Sequence, residues 1–258
     1  VKTSTHYIEY LAGGRIFLHL KKIKSGGEPS PEVIASGGQL PNFAGYSNPK
    51  AKKAAFFGYL LPLIREVNGE IMRDRNQLLA MQSQLRNAGL VDSLDERWLK
   101  QKAEEYGFND IPEKANSAFV GLVLMRVDIV APSLVMAQAA NESGWGTSRF
   151  ARQGNNLFGM RAFDGSGMVP QRRGAGQTYT VAAYASPLAS IESYMKHINT
   201  HESYLKLRQI RADQRSEGQV VSGYSLANGL GKYSERGRAY ITGLQAKISR
   251  NNLGQYDE

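Results

Sequence analysis

The residues with the most chemical promise gather in one segment. AQAANESGWGTSRFARQGNNLFGM, beginning at Ala137, holds a single acidic side chain, Glu142, between an apolar run and a stretch of Gly, Trp, Asn and Phe. The run that leads to it starts at Pro132 and reads as a helix stopped by Gly144 and Gly146. Glu142 then lies in the last turn, where the helix dipole disfavours a negative charge. Trp145 and Phe158 are close enough in sequence to wall the group from water, which also disfavours the charged form. A carboxyl group kept protonated in this way suits a general acid that protonates a glycosidic oxygen. The competing account of the same pattern is a solvated charge at a helix end.

The elements that must position this segment are mostly helical. From Asn48 the chain has Pro49 at a helix start, and apolar residues at Phe56, Leu60, Leu63, Ile64, Val67 and Ile71 repeat with helical spacing. Pro62 inside that pattern predicts a kink or break, and Gly89 predicts the C-cap. SLDE, from Ser93 to Glu96, reads as a capping box with Ser93 at the N-cap. A further helix is expected from near Pro112, burying Phe119, Leu122, Val123 and Val127. Glycines 159, 165, 167, 174 and 176 then punctuate short extended pieces, GMVPQ and TYTVAAY, which predict a small hairpin or β lobe. Ser186 and Pro187 open another helix as N-cap and N1, and helices follow over HESYLKLRQIRADQ, SLANGL and RAYITGLQAKISR.

Three regions are expected. Residues 1–40 form an N-terminal arm or linker, rich in Gly, Pro and Ser over SGGEPSPEVIASGGQLPNF, with YIEYLAGGRIFLHLKK as a short strand or helix. Residues 41–111 form a helical region packing on a third region, residues 112–258, which carries Glu142.

Composition narrows the function classes. The chain has 258 residues, net charge +9 and pI about 9.6. Such a surplus favours an anionic partner. No zinc-finger or RNA-recognition signature is present, so nucleic acid is not expected. No apolar run is long enough for a transmembrane span. Cysteine is absent, which excludes disulfides and thiolate chemistry. The histidines are His6, His19, His197 and His201. HINTH has one i, i+4 pair but no Glu beside the first His, so neither a metal nor a cofactor is expected. The RQIR and QRR clusters read as solvated basic faces.

AQAANESGWGTS followed by NNLFGM resembles the glucosaminidase domain of family 73 glycoside hydrolases, which cleave peptidoglycan. The resemblance runs from about Pro112 to Arg250 and includes YASPLASIESYMKHI and KYSERGRAY. LPNF and KKAAFFGYLLPLI resemble the Bax-like branch, which adds a helical region to that domain. The resemblance implies an α+β, mainly α-helical fold of goose-type lysozyme kind, with a small β lobe and an extra N-terminal helical region. It implies an endo-β-N-acetylglucosaminidase acting on peptidoglycan strands in the bacterial envelope, periplasmic or secreted, as a monomer; Val1 opens no recognisable signal peptide.

Residue by residue, the resemblance makes Glu142 the general acid. Many members of the family place a Glu in the β lobe, but here the region from Arg161 to Tyr184 offers only Asp164, equally a turn former beside Gly165. Either Asp164 takes part, or the base comes from elsewhere, or the substrate's acetamido group assists. Tyr233 or Tyr240 is similar to the family's late Tyr. Tyr233 is the catalytic candidate, whereas Tyr240 is a substrate contact that also continues an apolar pattern with Leu244. Phe158 is expected to line the groove, and Gln138 the same cleft. Trp145 either joins them or packs under the helix end. Asn155 and Asn156 are expected to brace the loop, with Asn156 near substrate. The missing β-lobe Glu leaves two rivals: a lytic transglycosylase forming a 1,6-anhydro end, and a non-catalytic wall-binding protein.

Overall fold

The computed structural model describes residues 7–12, 15–20, 40–164, 166–171, 176 and 178–258. In the N-terminal unit, β1 (Tyr7–Ala12) pairs antiparallel with β2 (Arg15–Leu20), placing Tyr7 opposite Leu20 and Ala12 opposite Arg15. This part of the expected arm is therefore a hairpin. Residues 25–39 of the Gly, Pro and Ser-rich stretch after it lie outside the described residues, as does most of QRR.

The second unit is built around α1 (Pro49–Ala88). Asn48 caps it by accepting from the backbone N–H of Lys50 and Ala51, at 2.8 and 3.2 Å. Gly89 ends it with φ 73°, a conformation that favours glycine. The apolar stripe from Phe56 to Leu85 is buried. Pro62 does not break the helix, contrary to its sequence pattern. Both Pro62 and Gly58, whose carbonyl loses its partner, are exposed, so water can satisfy that carbonyl.

Two further helix starts differ from expectation. α2 (Ser93–Glu105) is capped by Asp92, not Ser93; one carboxylate oxygen accepts from the N–H of Leu94 and Asp95, both at 2.8 Å. An ionised acceptor also complements the positive helix end, which a hydroxyl cannot do. α3 (Ser117–Arg126) begins after Asn116, five residues beyond Pro112, because Asn116 accepts from Phe119 N at 2.9 Å. This register buries Phe119, Val123 and Val127 but leaves Leu122 58% exposed.

α4 (Pro132–Glu142) and α5 (Arg149–Gly154) follow. A small sheet then pairs β3 (Arg161–Ala162) with β4 (Thr180–Val181), Arg161 opposite Val181. Helices α6 (Pro187–Thr200), α7 (Leu205–Ser216), α8 (Gly223–Leu226) and α9 (Arg238–Arg250) complete the unit. The whole is mainly α-helical with a small β element. Helix α1 packs on α3, α4 and α6, so residues 49–88 share the core that holds α4.

A polar hub inside this core replaces the solvated basic face expected of RQIR. Asp128, after α3, is buried beside Arg75, Arg211 and Arg215 at 3.4, 3.7 and 2.8 Å. Arg211 is buried too and donates to the carbonyls of Met125, Asp128 and Ile129 and to Asn199 Oδ1. Arg208 donates to the carbonyls of Ile198 and His201. The rigid guanidinium fork reaches several orphan carbonyls at the ends of α3 and α6 at once, which a solvated arginine would forgo.

Candidate active site

Helix α4 carries Glu142 to its position. Every residue from Pro132 to Ala140 is buried, so the helix is enclosed on all sides. Leu134, Val135 and Met136 are fully buried, each contributing about 1.5–3 kcal/mol. The first polar surface appears at the C-terminal end, with Asn141 exposed and Glu142 half-buried. At the other end, Ala131 has no capping side chain. Asp257 supplies the cap from the C-terminal tail: it accepts from Ser133 N at 2.8 Å, from the Ser133 hydroxyl at 2.7 Å and from Gly223 N at 3.0 Å. Burial raises the Asp257 carboxyl, while these donors pull it back.

The chain leaves α4 through three successive left-handed residues, Gly144, Trp145 and Gly146, with φ of 57°, 60° and 72°. For Trp145 this conformation costs roughly 1–2 kcal/mol. Its ring lies edge-on to Phe56 and Phe57 of α1, at 5.8 and 5.3 Å, with the ammonium groups of Lys53 and Lys247 each 5.2 Å from its centre. Gly146 has no space for a side chain; a Cβ there would stand 2.6 Å from the Phe43 ring. Ser143 ties the turn, donating to Ala139 O and accepting from Gly146 N.

Around the carboxylate, the Tyr240 hydroxyl donates to Glu142 Oε1 at 2.8 Å and Asn141 Nδ2 donates to the same oxygen at 3.1 Å. Gln138 Nε2 donates to the Tyr240 hydroxyl at 3.0 Å, and the Tyr194 hydroxyl donates to Gln138 Oε1. Burial pushes the Tyr240 phenol far above its ordinary value, and the Glu142 charge and hydrogen bond push it further. Tyr240 is therefore a neutral donor at any working pH.

The structure rearranges the expected roles. Tyr240, expected to touch sugar or fill the core, is buried and contacts Glu142 directly. Tyr233, the expected catalytic tyrosine, stacks on Tyr240 with ring centres 5.5 Å apart and donates to Phe158 O at 2.9 Å. Phe158 does not line a groove: it is buried and stacked on Tyr194 at 4.0 Å, because its backbone is held inward by Asn156 and Tyr233. Gln138 is likewise fully buried, enclosed by α9 and α6 rather than open to a cleft. Trp145 packs on α1 instead of walling the carboxylate.

Asn156 braces the loop, donating to the carbonyls of Met160 and Ala182 and accepting from Phe158 N and Met160 N. It is buried and satisfied by backbone. Asn155 adopts a left-handed conformation with φ 50° and donates to Tyr184 O. The loop so held brings Gly159 beside Glu142; a Cβ on Gly159 would lie 3.8 Å from Oε2.

Asp164 is exposed on the β lobe and closes a local turn, accepting from the hydroxyl and N–H of Ser166 at 2.7 and 3.0 Å. These bonds hold its carboxyl below the ordinary range. Tyr194, Asn141 and Asp257 escaped sequence reasoning. Tyr194 reads only as one apolar position of an amphipathic helix, and Asp257 as a tail charge. Among the described residues no three His, Cys, Asp or Glu side chains are grouped to hold a metal, and no helix is long and apolar enough to cross a membrane. His197 and His201 instead form an aromatic cluster with Tyr204.

Comparison with known proteins adds the family. Residues 123–253 match the glucosaminidase family model, described as mannosyl-glycoprotein endo-beta-N-acetylglucosaminidase. The chain is 32% identical to Protein bax of Escherichia coli (strain K12) over 219 residues, covering 84% of this chain and 76% of that protein. It is also similar to the catalytic domain of the autolysin Auto from Listeria monocytogenes, at 20% identity and TM-score 0.38, covering 70% of this chain and 87% of that one. The matched stretch contains α4, Glu142, the β element and the tyrosines that surround the carboxylate, and the chain belongs to the glucosaminidase family of glycoside hydrolases.

Proposed function

We propose that the protein is an endo-β-N-acetylglucosaminidase that cleaves the glycan strands of bacterial peptidoglycan outside the cytoplasm, with Glu142 as general acid. One observation carries this reading. A single carboxylate emerges from the end of an otherwise enclosed helix, with a neutral phenol fixed on one of its oxygens. A carboxyl group so placed has one oxygen committed to the protein and the other available to a glycosidic oxygen. The net charge of +9 suits an anionic wall polymer. In this reading, residues 41–111 buttress the site, since Phe56 and Phe57 of α1 hold the turn that follows Glu142.

A second reading, lytic transglycosylase, is favoured by Asp164. That residue is the one acid in the sequence between Arg161 and Tyr184, and it is engaged in an exposed local turn with Ser166. With the one carboxylate of that segment held in a local turn, an internal sugar hydroxyl takes the part of the activated water. Mass spectrometry of peptidoglycan digested by wild type and by Glu142→Gln separates the readings. Reducing GlcNAc ends from wild type alone support the glucosaminidase. A 1,6-anhydro-MurNAc end supports the transglycosylase, and equal turnover by Glu142→Gln removes the acid assignment. Wall binding without released fragments would leave a binding protein.

A further inference from the structure

Behind Glu142, three side chains form a one-way line of hydrogen bonds. Tyr194 donates to Gln138 Oε1, Gln138 Nε2 donates to the Tyr240 hydroxyl at 3.0 Å, and Tyr240 donates to Glu142 Oε1 at 2.8 Å. The direction follows from the end of the line. An ionised carboxylate only accepts, so Tyr240 gives it its one proton. The Tyr240 lone pairs then face Gln138, which must present its amide N–H. The amide oxygen is thereby left to Tyr194. Gln138 and Tyr194 are fully buried, and among the described residues Gln138 is the hydrogen-bond partner of the Tyr194 hydroxyl.

We infer that this line decides which oxygen of Glu142 carries the acid proton: it is Oε2, the oxygen beside Gly159, and Gln138 and Tyr194 are positioning residues for the reaction. The inference rests on the proposed role of Glu142. Oε1 already accepts from both Tyr240 and Asn141, so its two lone-pair sites are taken, and a proton on the side facing Tyr240 would meet the Tyr240 proton head-on. To accept it, Tyr240 must turn its own proton to Gln138, and Gln138 must flip its amide. Tyr194 then loses its acceptor inside the buried core, where an unpaired hydroxyl is strongly disfavoured. Oε2 meets no such demand, and Gly159 presents no side chain towards it. In the acid step the Oε2–H bond breaks and the proton passes to the departing glycosidic oxygen, which keeps the electron pair of the broken C–O bond. The charge left on the carboxylate is already met by Tyr240. Water, the co-substrate of hydrolysis, bonds through its oxygen to the anomeric carbon, and the proton it sheds passes to solvent, from which Oε2 is reprotonated for the next turnover.

The line predicts an effect at a distance and a specific non-additivity. Steady-state kinetics on peptidoglycan would compare Tyr194→Phe, Tyr240→Phe, the double variant and Glu142→Gln, with thermal melts to verify folding. Tyr194→Phe frees the Gln138 amide to flip, and is expected to lower kcat about tenfold with KM changed by less than about twofold. The double variant is expected to match Tyr240→Phe alone, because both hydroxyls act through one bond to Glu142. Wild-type kcat in Tyr194→Phe, or multiplied losses in the double variant, overturn the inference. Should Tyr194→Phe not fold, Gln138→Met replaces it: a kcat about tenfold below wild type supports the line and wild-type kcat overturns it. Glu142→Gln separates the two levels. If it retains turnover, the role of Glu142 falls and this inference with it. If it is inactive while Tyr194→Phe works at full rate, only the inference falls.

Discussion

The Tyr240 hydroxyl donates to Glu142 Oε1 at 2.8 Å, joining two helices whose partners are 98 residues apart in the chain. Tyr233 stacks on the same ring yet directs its own hydroxyl to the carbonyl of Phe158. The two neighbouring phenols therefore have separable jobs. Tyr240→Phe is expected to lower kcat about tenfold to a hundredfold, the value of a hydrogen bond to a charged group. Tyr233→Phe is expected to cost about 1 kcal/mol of stability and to leave kcat within about threefold of wild type. Kinetics and denaturant titration on both variants would check this, and the reverse ranking would return the catalytic role to Tyr233.

The turn after Glu142 tolerates no side chain at Gly146. A Cβ there meets Phe43 at 2.6 Å, Leu40 at 3.1 Å and Phe56 at 3.2 Å, and φ is 72°. Left-handed strain and overpacking add, so Gly146→Ala is expected to destabilise the fold by roughly 2–5 kcal/mol. Urea unfolding measures it. A loss under about 1 kcal/mol would show that the rings shift easily.

Asp128 meets three guanidinium groups in the core. Asp128→Ala leaves Arg211 buried without its carboxylate, and a loss of about 3–5 kcal/mol is expected. A change of less than about 1 kcal/mol in the urea midpoint analysis would mean that the carbonyls around Arg211 suffice. Activity per folded molecule should be unchanged, because the hub acts on the packing of α3, α6 and α7 and not on Glu142.

Glu105 makes acid stability testable. Burial acts to raise its carboxyl, but the ammonium groups of Lys102 and Lys196, at 2.7 and 2.6 Å, outweigh burial and hold it below the ordinary range. A folded-state value below the unfolded one means stability that is present above the unfolded value and lost as pH falls through the folded one. Between those values the wild type should lose stability on acidification faster than Glu105→Gln. Thermal melts across that interval give the comparison, and parallel curves would count against the pairing. Added salt should shrink the difference, since the side chain is half exposed.

Much of the scaffold was legible because its signals are local. Pro49 with Gly89, Ser186 with Pro187, and the exit glycines of α4 each depend on backbone geometry within one turn. The shifted starts of α2 and α3 show where a local pattern offers two answers. Asp92 competes with Ser93, and Asn116 with Pro112, and the better-placed acceptor wins. RQIR misleads for a longer-range reason. Its Arg211 finds helix-end carbonyls and one carboxylate that lie far away in the chain, so charge in a sequence window says nothing of solvation.

At the site itself, the order of residues along the chain is enough to put Glu142 at a helix end beside a glycine-rich turn, because helix stops and the macrodipole are properties of one segment. Which groups surround that carboxylate is a different matter. Phe158 turns inward onto Tyr194, Gln138 turns inward to Tyr240, and Tyr240 rather than Tyr233 reaches the carboxylate. Those choices depend on how α6 and α9 pack against α4. A hydrogen bond needs its partners placed to within tenths of an ångström, and such placement arises only when distant helices close on a shared core.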